Sequence, residues 1–332
     1  MDRKKIISPI AWGSGAYIVH KLLEGHVEGY KVYAYNPYWA LCPFLLRIIT
    51  PVRGAHVIHT TADYASFFHK ESIPLVITFH NYVLDRWMRS YSSFAQVLHY
   101  SIDLRLWVRL AVQRARVITA VSRFTANLVK RDLDLANGIK VIYNGVDVDR
   151  FKPCSRKNSS SSTIKVLFSG NLSRRKGAQW LPLIAKGLDK GIRIFCTQGL
   201  QARKILQSHP NLECIGPVPF KNMPDRYREM DILLMPTVRE GLSLAVLEAM
   251  ASGLPVVASN CSSLPEQIDD GKGGFLCPLG DAKSFAEKIN TLAESPRLRK
   301  EMGEYNRSKT EQSFTLNRMV NEYRDLFEEI IG

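Results

Sequence analysis

The 332-residue sequence has no apolar run approaching about 18 residues, the length a membrane-crossing helix needs, so a spanning helix is not expected. It has no C-x-x-C pair. Cys42, Cys154, Cys196, Cys214, Cys261 and Cys277 are scattered singly, which points away from a disulfide framework or a zinc site and toward reduced thiols. Histidines are few and none stands at a ligand-like spacing. His56 and His59, three apart in an expected strand, face opposite sides of it. No carboxylate–histidine cluster emerges, so neither a catalytic metal nor a cofactor is expected. Internal repeats and nucleic-acid motifs are also missing. The start, MDRKKIISPIAWGSGAYIV, is basic and then apolar, as a leader would be. Pro9, Gly13 and Gly15 interrupt the apolar stretch and no small-x-small site follows, so a first buried strand and a cytoplasmic location are expected.

What is present is a globular composition, 45% apolar and 23% charged, with a net charge of +14. That excess calls for an anionic partner, and residues 1–155 carry most of it, with 20 Lys+Arg against 11 Asp+Glu. One low-complexity stretch, residues 154–163, falls almost midway and reads as a linker. Before it, strands are expected at Lys5–Ile10, Tyr30–Tyr35, His56–Thr60, Leu75–Phe79, Arg116–Val121 and Lys140–Tyr143, with helices notably at Ser93–Arg114 and Arg123–Arg131. After it, strands at Lys165–Phe168, Ile192–Cys196, Leu212–Ile215, Ile232–Met235 and Pro255–Ala258 alternate with helices at Trp180–Lys190, Ala202–Ser208, Met223–Met230 and Leu242–Ala251. Such alternation implies an α/β fold of two doubly wound, Rossmann-like domains facing across a cleft, with ligands at the carboxyl ends of the strands.

The stretch EGLSLAVLEAMASGLPVVASN, residues 240–260, places Glu240 at the mouth of a short apolar helix and Glu248 on its body, with Gly253 and Pro255 ending it. Glu248 is either on an exposed side of that helix or hydrogen-bonded to something, because a buried carboxylate without partners is costly. If a nucleotide diphosphate-sugar lies along the helix, its diphosphate belongs at the amides of Gly241, Leu242 and Ser243. The ribose then falls near Glu248, roughly 8–9 Å further on at about 1.5 Å per residue. Glu240 points the other way, toward the transferred sugar. SGNLSRRKG, residues 169–177, supplies fixed positive charge for a diphosphate in Arg174, Arg175 and Lys176. AWGSGAY, residues 11–17, offers Gly13 and Gly15 for close backbone approach to a ligand, or an ordinary tight turn. His80 ends the fourth strand. The DLD and DVD triplets, at 132–134 and 147–149, read as a helix end and a loop rather than as metal motifs.

With VLFSGNLSRRKGAQWL, MPDRYREMDILLMPTVREGLSLAVLEAMASGLPVVAS and EQIDDGKGGFLCPLGD, the second half resembles the retaining glycosyltransferases of family 4, which have the GT-B fold and an E-x7-E signature. ITAVSRFTANLVK and KVIYNGVDVDRFKP in the first half also look like family segments. The resemblance implies transfer of a sugar from a nucleotide diphosphate-sugar (UDP or GDP) to a glycan or lipid-linked acceptor, as in cell-surface polysaccharide or glycolipid assembly. It implies catalytic roles for His80, Glu240 and Lys176, and donor binding by Gly13, Gly15, Arg174, Arg175, Lys176, Gly241, Leu242, Ser243 and Glu248. Asn171 stands where the family has an arginine, which leaves that role to Arg174 or Arg175. The implied division is an acceptor domain over 1–153, the linker 154–163, a donor domain over 164–312, and a last helix over 313–332 crossing back to the first domain. Six arginines and several aromatics over 86–116, with Asp103 the single acid, suit an anionic membrane surface on the inner face, or else a core helix pair with a solvated face. A nucleotide-sugar epimerase of similar fold would need acid/base carboxylates in the cleft. A basic membrane- or nucleic-acid-binding protein without catalysis would not need Glu240, Glu248 and Lys176.

Overall fold

The computed structural model describes residues 4–49, 52, 54–136, 138–153, 163–197 and 209–332. Most of the Ser-rich linker and the helix expected at Ala202–Ser208 lie outside the described residues. The chain divides into two compact units, one formed by residues 1–144 with 317–332 and the other by residues 145–316. The division thus falls at Asn144/Gly145, ahead of the Ser-rich stretch. At that point a Cβ on Gly145 would lie 2.4 Å from the Thr315 carbonyl oxygen, so the outgoing and returning chain segments touch backbone to backbone.

The first unit is a six-stranded parallel sheet in the order β2-β1-β3-β4-β5-β6. Its strands are β1 Ile6–Ala11, β2 Tyr30–Tyr35, β3 Val57–Thr61, β4 Leu75–Phe79, β5 Val117–Ala120 and β6 Lys140–Val141. The second is again a six-stranded parallel sheet, in the order β12-β11-β10-β7-β8-β9. It comprises β7 Ile164–Phe168, β8 Ile192–Cys196, β9 Leu212–Cys214, β10 Ile232–Met235, β11 Val256–Ser259 and β12 Gly274–Cys277. Central strands such as LVITF of β4 and ILLM of β10 are buried along their whole length. Parallel sheets covered on both faces need continuous apolar runs of this kind, which is why the strands were legible.

Each order reverses beside its first strand. In the second unit β8 and β9 extend one way from β7, while β10, β11 and β12 extend the other. Loops leaving β7 and β10 therefore diverge at a topological switch point, where open α/β sheets bind ligands. The expected helix at Ser93–Arg114 is present with a π turn, Tyr100–Leu104, between Phe94–His99 and Arg105–Arg114. The last helix, Leu316–Ile331, sinks Met319, Val320, Tyr323, Leu326 and Phe327 into the core of the first unit.

Candidate functional site

In the second unit the loop after β7 is shaped to present one lysine. Ser173 caps the 3-10 turn Arg174–Lys176 by accepting from the Lys176 amide. Gly177 follows with φ +80°, and a Cβ there would sit 1.9 Å from the Pro236 carbonyl oxygen. Only glycine lets this loop close onto the one that leaves β10. The two are then laced together, because the Arg175 carbonyl accepts from the Val238 amide at 2.8 Å and lies 3.0 Å from the Thr237 hydroxyl.

This lacing sets Lys176 Nζ 2.7 Å from Glu240 Oε1, where Thr237 Oγ1 also approaches to 2.9 Å and Arg175 Nη1 to 3.9 Å. Burial pushes the Glu240 carboxyl up, but the charges of Lys176 and Arg175 and hydrogen bonds from Lys176 and Thr237 outweigh it, so it is held below the usual carboxylate range. The backbone at Glu240 is clamped as well. Its N–H donates to Ser262 Oγ at 3.1 Å and its carbonyl accepts from Ser263 Oγ at 3.1 Å. Ser262 itself holds φ +53°, a left-handed conformation that a serine adopts only when its surroundings impose it. Of the three basic residues, Arg175 joins the lysine here, while Arg174 is exposed.

The helix at the E-x7-E stretch is Leu244–Ala251, ended at Ser252 and Gly253 (φ +74°) with the Leu254 amide returning to the Ala249 carbonyl. One expectation for its amino end is corrected. The Ser243 amide is not available to a ligand, because it donates to Gln267 Oε1 at 3.0 Å while Gln267 Nε2 donates to the Ser243 carbonyl at 2.9 Å. The Ser243 side chain makes no cap, so the buried Gln267 amide serves as a peptide-like partner for both groups. Gln267 lies inside a quoted segment, yet nothing in the sequence singled it out.

Glu248 is buried, which decides between the two readings of its helix. Tyr227 Oη donates to Glu248 Oε2 at 2.9 Å, and the same hydroxyl lies 3.5 Å from Ser169 Oγ, at the carboxyl end of β7. Desolvation raises the Glu248 carboxyl to about 7, against the opposing effects of the Tyr227 hydrogen bond and the Arg150 charge. Arg150 is held nearby by stacking over Phe220, 4.4 Å from the ring centroid. Tyr227, Ser169 and Arg150 were not anticipated as site residues. Ser169 opens the SGNLSRRKG stretch read as a phosphate site, and Tyr227 and Arg150 lie in family-like segments, yet none of the three was singled out.

In the first unit β1 leads into Gly13, whose φ of +82° requires glycine, and Ser14 caps the helix Gly15–His26 through the Tyr17 amide. A Cβ at Gly13 or Gly15 would meet nothing within 4 Å, so open space faces both. His80 follows β4 and lies 3.0 Å, Nε2 to Nε2, from the buried His20. The two acidic triplets are structural. Asp147 Oδ1 accepts from the Asp149 and Arg150 amides, and Asp132 pairs with Arg105 at 3.0 Å.

The basic, aromatic segment is only partly exposed. Tyr100 and Trp107 pack against the core, Trp107 on Phe67 with centroids 4.7 Å apart. Trp87, Phe94, Leu98, Ile102 and Leu106 instead face outward, the last four spaced four apart. Residues 37–49, unremarked in the sequence, add exposed Tyr38, Leu41, Phe44, Leu45 and Ile48. No helix among the described residues is long and apolar enough to cross a membrane.

Comparison with known proteins relates the chain to glycosyltransferases. The profile described as "Glycosyl transferases group 1" matches residues 163–295, and that described as "Glycosyltransferase Family 4" matches residues 13–150. An uncharacterized 41.2 kDa protein in the cps region of Klebsiella pneumoniae is 31% identical over 58% of this chain, a match that spans 55% of that protein. The N-acetyl-alpha-D-glucosaminyl L-malate synthase of Bacillus anthracis is 24% identical over 93% of this chain and 84% of its own. The crystal structure of Anabaena Alr3699/HepE in complex with UDP and glucose aligns over 98% of this chain and 100% of that one, with a TM-score of 0.79 and 17% identity.

Proposed function

Because the chain belongs to the group 1 glycosyltransferases of family 4, with the two-domain α/β GT-B fold, we propose that it is a retaining, metal-independent transferase using a nucleotide diphosphate-sugar. The observation that carries this reading is the pairing, at the β7/β10 switch point, of a buried carboxylate–lysine contact (Glu240–Lys176) with a second buried carboxylate (Glu248) on the following helix. Lys176 uses one of its three N–H donors on Glu240, and the others would serve the diphosphate. Glu248 would accept from the ribose hydroxyls. A solved neighbour whose complex contains UDP and glucose supports a UDP-sugar as the first donor to try. The acceptor would be a glycan or lipid-linked hydroxyl, in cell-surface polysaccharide or glycolipid assembly.

In this scheme the bond from the anomeric carbon to the diphosphate breaks as the acceptor oxygen bonds to that carbon from the same face. The acceptor's proton passes to a phosphate oxygen. The protein supplies preorganised positive charge through Lys176 and Arg175 and needs no nucleophile of its own. His80, Gly13 and Gly15 would face the sugar and diphosphate, as the family resemblance implies. The testing experiment is calorimetric binding of a panel of nucleoside diphosphates, followed by donor-sugar hydrolysis with each matching sugar. Absence of any nucleotide binding would remove the reading.

Fixed cations at the diphosphate position lead to one expected result. Transfer should persist in EDTA, and loss of activity restored by Mg²⁺ or Mn²⁺ would show that a metal is required. The exposed apolar residues at 38–48 and 87–106 lie in the segments that also carry the exposed Arg47, Arg86, Arg89 and Arg109. Each basic residue near an anionic surface contributes about 1 kcal/mol, so four would hold the protein there reversibly. Co-sedimentation with anionic vesicles at low salt, release at high salt and little binding to neutral vesicles are expected. A protein that stays in the supernatant at low salt would favour a soluble acceptor.

A further inference from the structure

Beneath His80 the first unit contains a chain of buried polar side chains that the transfer scheme does not use. His20 Nδ1 lies 2.7 Å from Ser8 Oγ and 2.9 Å from Tyr30 Oη, and Tyr30 Oη lies 2.7 Å from His59 Nδ1. His59 Nε2 lies 2.7 Å from Thr78 Oγ1, which in turn lies 2.6 Å from Thr119 Oγ1 and 3.2 Å from Tyr323 Oη of the last helix. Ser8, His20, His59, Thr78 and Thr119 are wholly buried. Burial holds all three imidazoles below their ordinary range, His80 at about 3, so each carries one N–H proton.

These contacts form a relay whose protons run all one way or all the other, and its far end favours one direction. The Thr119 hydroxyl lies 3.3 Å from the Ile77 carbonyl, which can only accept, and in the favoured direction it donates there. Its oxygen therefore accepts from Thr78, whose single proton is thereby used. Thr78 Oγ1 must then accept from His59 Nε2–H and from Tyr323, which leaves His59 Nδ1 bare. Tyr30 donates to that nitrogen, the His20 Nδ1–H is then shared by Tyr30 Oη and Ser8 Oγ, and His20 Nε2 is left as an acceptor. Only His80 Nε2–H can fill it. We infer that His20 is a positioning residue that locks His80 as the Nε2–H tautomer and leaves its Nδ1 unprotonated, able to accept from a hydroxyl of the transferred sugar. The inference rests on the proposed contact of His80 with that sugar. Thr78 and Tyr323 give it an anchor in the sheet and in the returning helix.

Long-range ¹H–¹⁵N correlation spectra of the full chain labelled with ¹⁵N-histidine, with His80 assigned through His80→Gln, read the tautomers directly. The expected spectrum has the proton on Nε2 of His80 and on Nδ1 of His20. A proton on His80 Nδ1, or a cationic ring at neutral pH, would overturn the inference. His20→Leu removes the acceptor and should lower kcat about ten- to a hundredfold, the scale at which orienting partners of a ligating histidine act. The KM for donor should stay within about twofold. His20→Gln keeps an oxygen near the Nε2 position and should restore most of the rate, whereas equal losses in both variants would mean packing alone. Should His20→Leu fail to fold, the wild-type spectrum decides. If His80→Gln retains full activity while the tautomers are as expected, the sugar-contact reading fails and the proton order stands.

Discussion

Replacing Lys176 by alanine is expected to lower turnover by about 10²–10³, the usual cost of removing one preorganised donor from a site of developing negative charge. Lys176 is the nearest cation to Glu240, its side chain is only 17% exposed, and the turn that carries it is fixed by Ser173 and Gly177. It reaches its place without reorganisation when the diphosphate departs. The substitution also strands Glu240, whose remaining charged neighbour, Arg175, is 3.9 Å away. Breaking a buried pair from one side costs about 3–5 kcal/mol, and this partly wetted site belongs at the lower end. The double substitution Lys176→Ala with Glu240→Gln separates the effects, since it should regain stability without regaining rate. A normal rate in Lys176→Ala would make the lysine structural and leave the clamp to the arginines. The pH dependence of stability gives a second check. The Glu240 carboxyl is depressed in the native state, so its contribution is complete above the ordinary carboxylate pKa and lost as pH falls through the folded value. The stability gap between the wild type and Lys176→Ala should therefore narrow below about pH 4.5.

The second large effect concerns Glu248. With its carboxyl raised to about 7, the unliganded site is mostly protonated at pH 6. A protonated carboxyl cannot accept fully from two ribose hydroxyls, so affinity for a nucleotide sugar should climb as pH rises, about tenfold per unit below 7, and level off above. A nucleotide sugar is the right probe because its diphosphate has no proton to lose in this range. Stability of the free protein should run the other way. The native state binds the Glu248 proton more tightly than the unfolded chain, so this group's contribution declines as pH rises from about 4.5 to 7. The affinity slope should vanish in Glu248→Gln, and the stability slope should lessen by this group's share. Glu248→Ala should weaken nucleoside diphosphate binding by about 1–3 kcal/mol, the scale of charged hydrogen bonds. Unchanged affinity in Glu248→Ala would remove the ribose assignment.

Buried parallel strands were easy to see because covering both sheet faces leaves uninterrupted apolar runs, as in β4 and β10. β12 went unseen. It opens on Gly274 at φ +152°, where a Cβ would lie 1.9 Å from the Val256 carbonyl oxygen, and a glycine pair usually signals a turn. The expected helix Trp180–Lys190 is shorter, Leu181–Lys186, because Gly187 ends it and Asn290 Nδ2 takes the Gly187 carbonyl.

At the candidate site, the two glutamates stood out by their spacing and Lys176 by its charge and its place in the family-like stretch, whereas which of Arg174 and Arg175 approaches Glu240 was not legible. Successive residues of a 3-10 turn point about 120° apart, so composition cannot say which one faces Glu240. Gln267, Tyr227 and His20 were missed for one shared reason. Each acts through a partner in another element, Ser243, Glu248 and His80 respectively, and no local pattern marks such a residue.

The claim that the E-x7-E helix lies along a nucleotide diphosphate-sugar is tested most directly by a crystal structure of the protein with UDP, or with whichever nucleoside diphosphate binds in the panel. The ribose hydroxyls are predicted within hydrogen-bond distance of the Glu248 carboxylate, with the diphosphate on Lys176. Density for the nucleotide elsewhere, with Glu248 still joined only to Tyr227 and Lys176 only to Glu240, would contradict it.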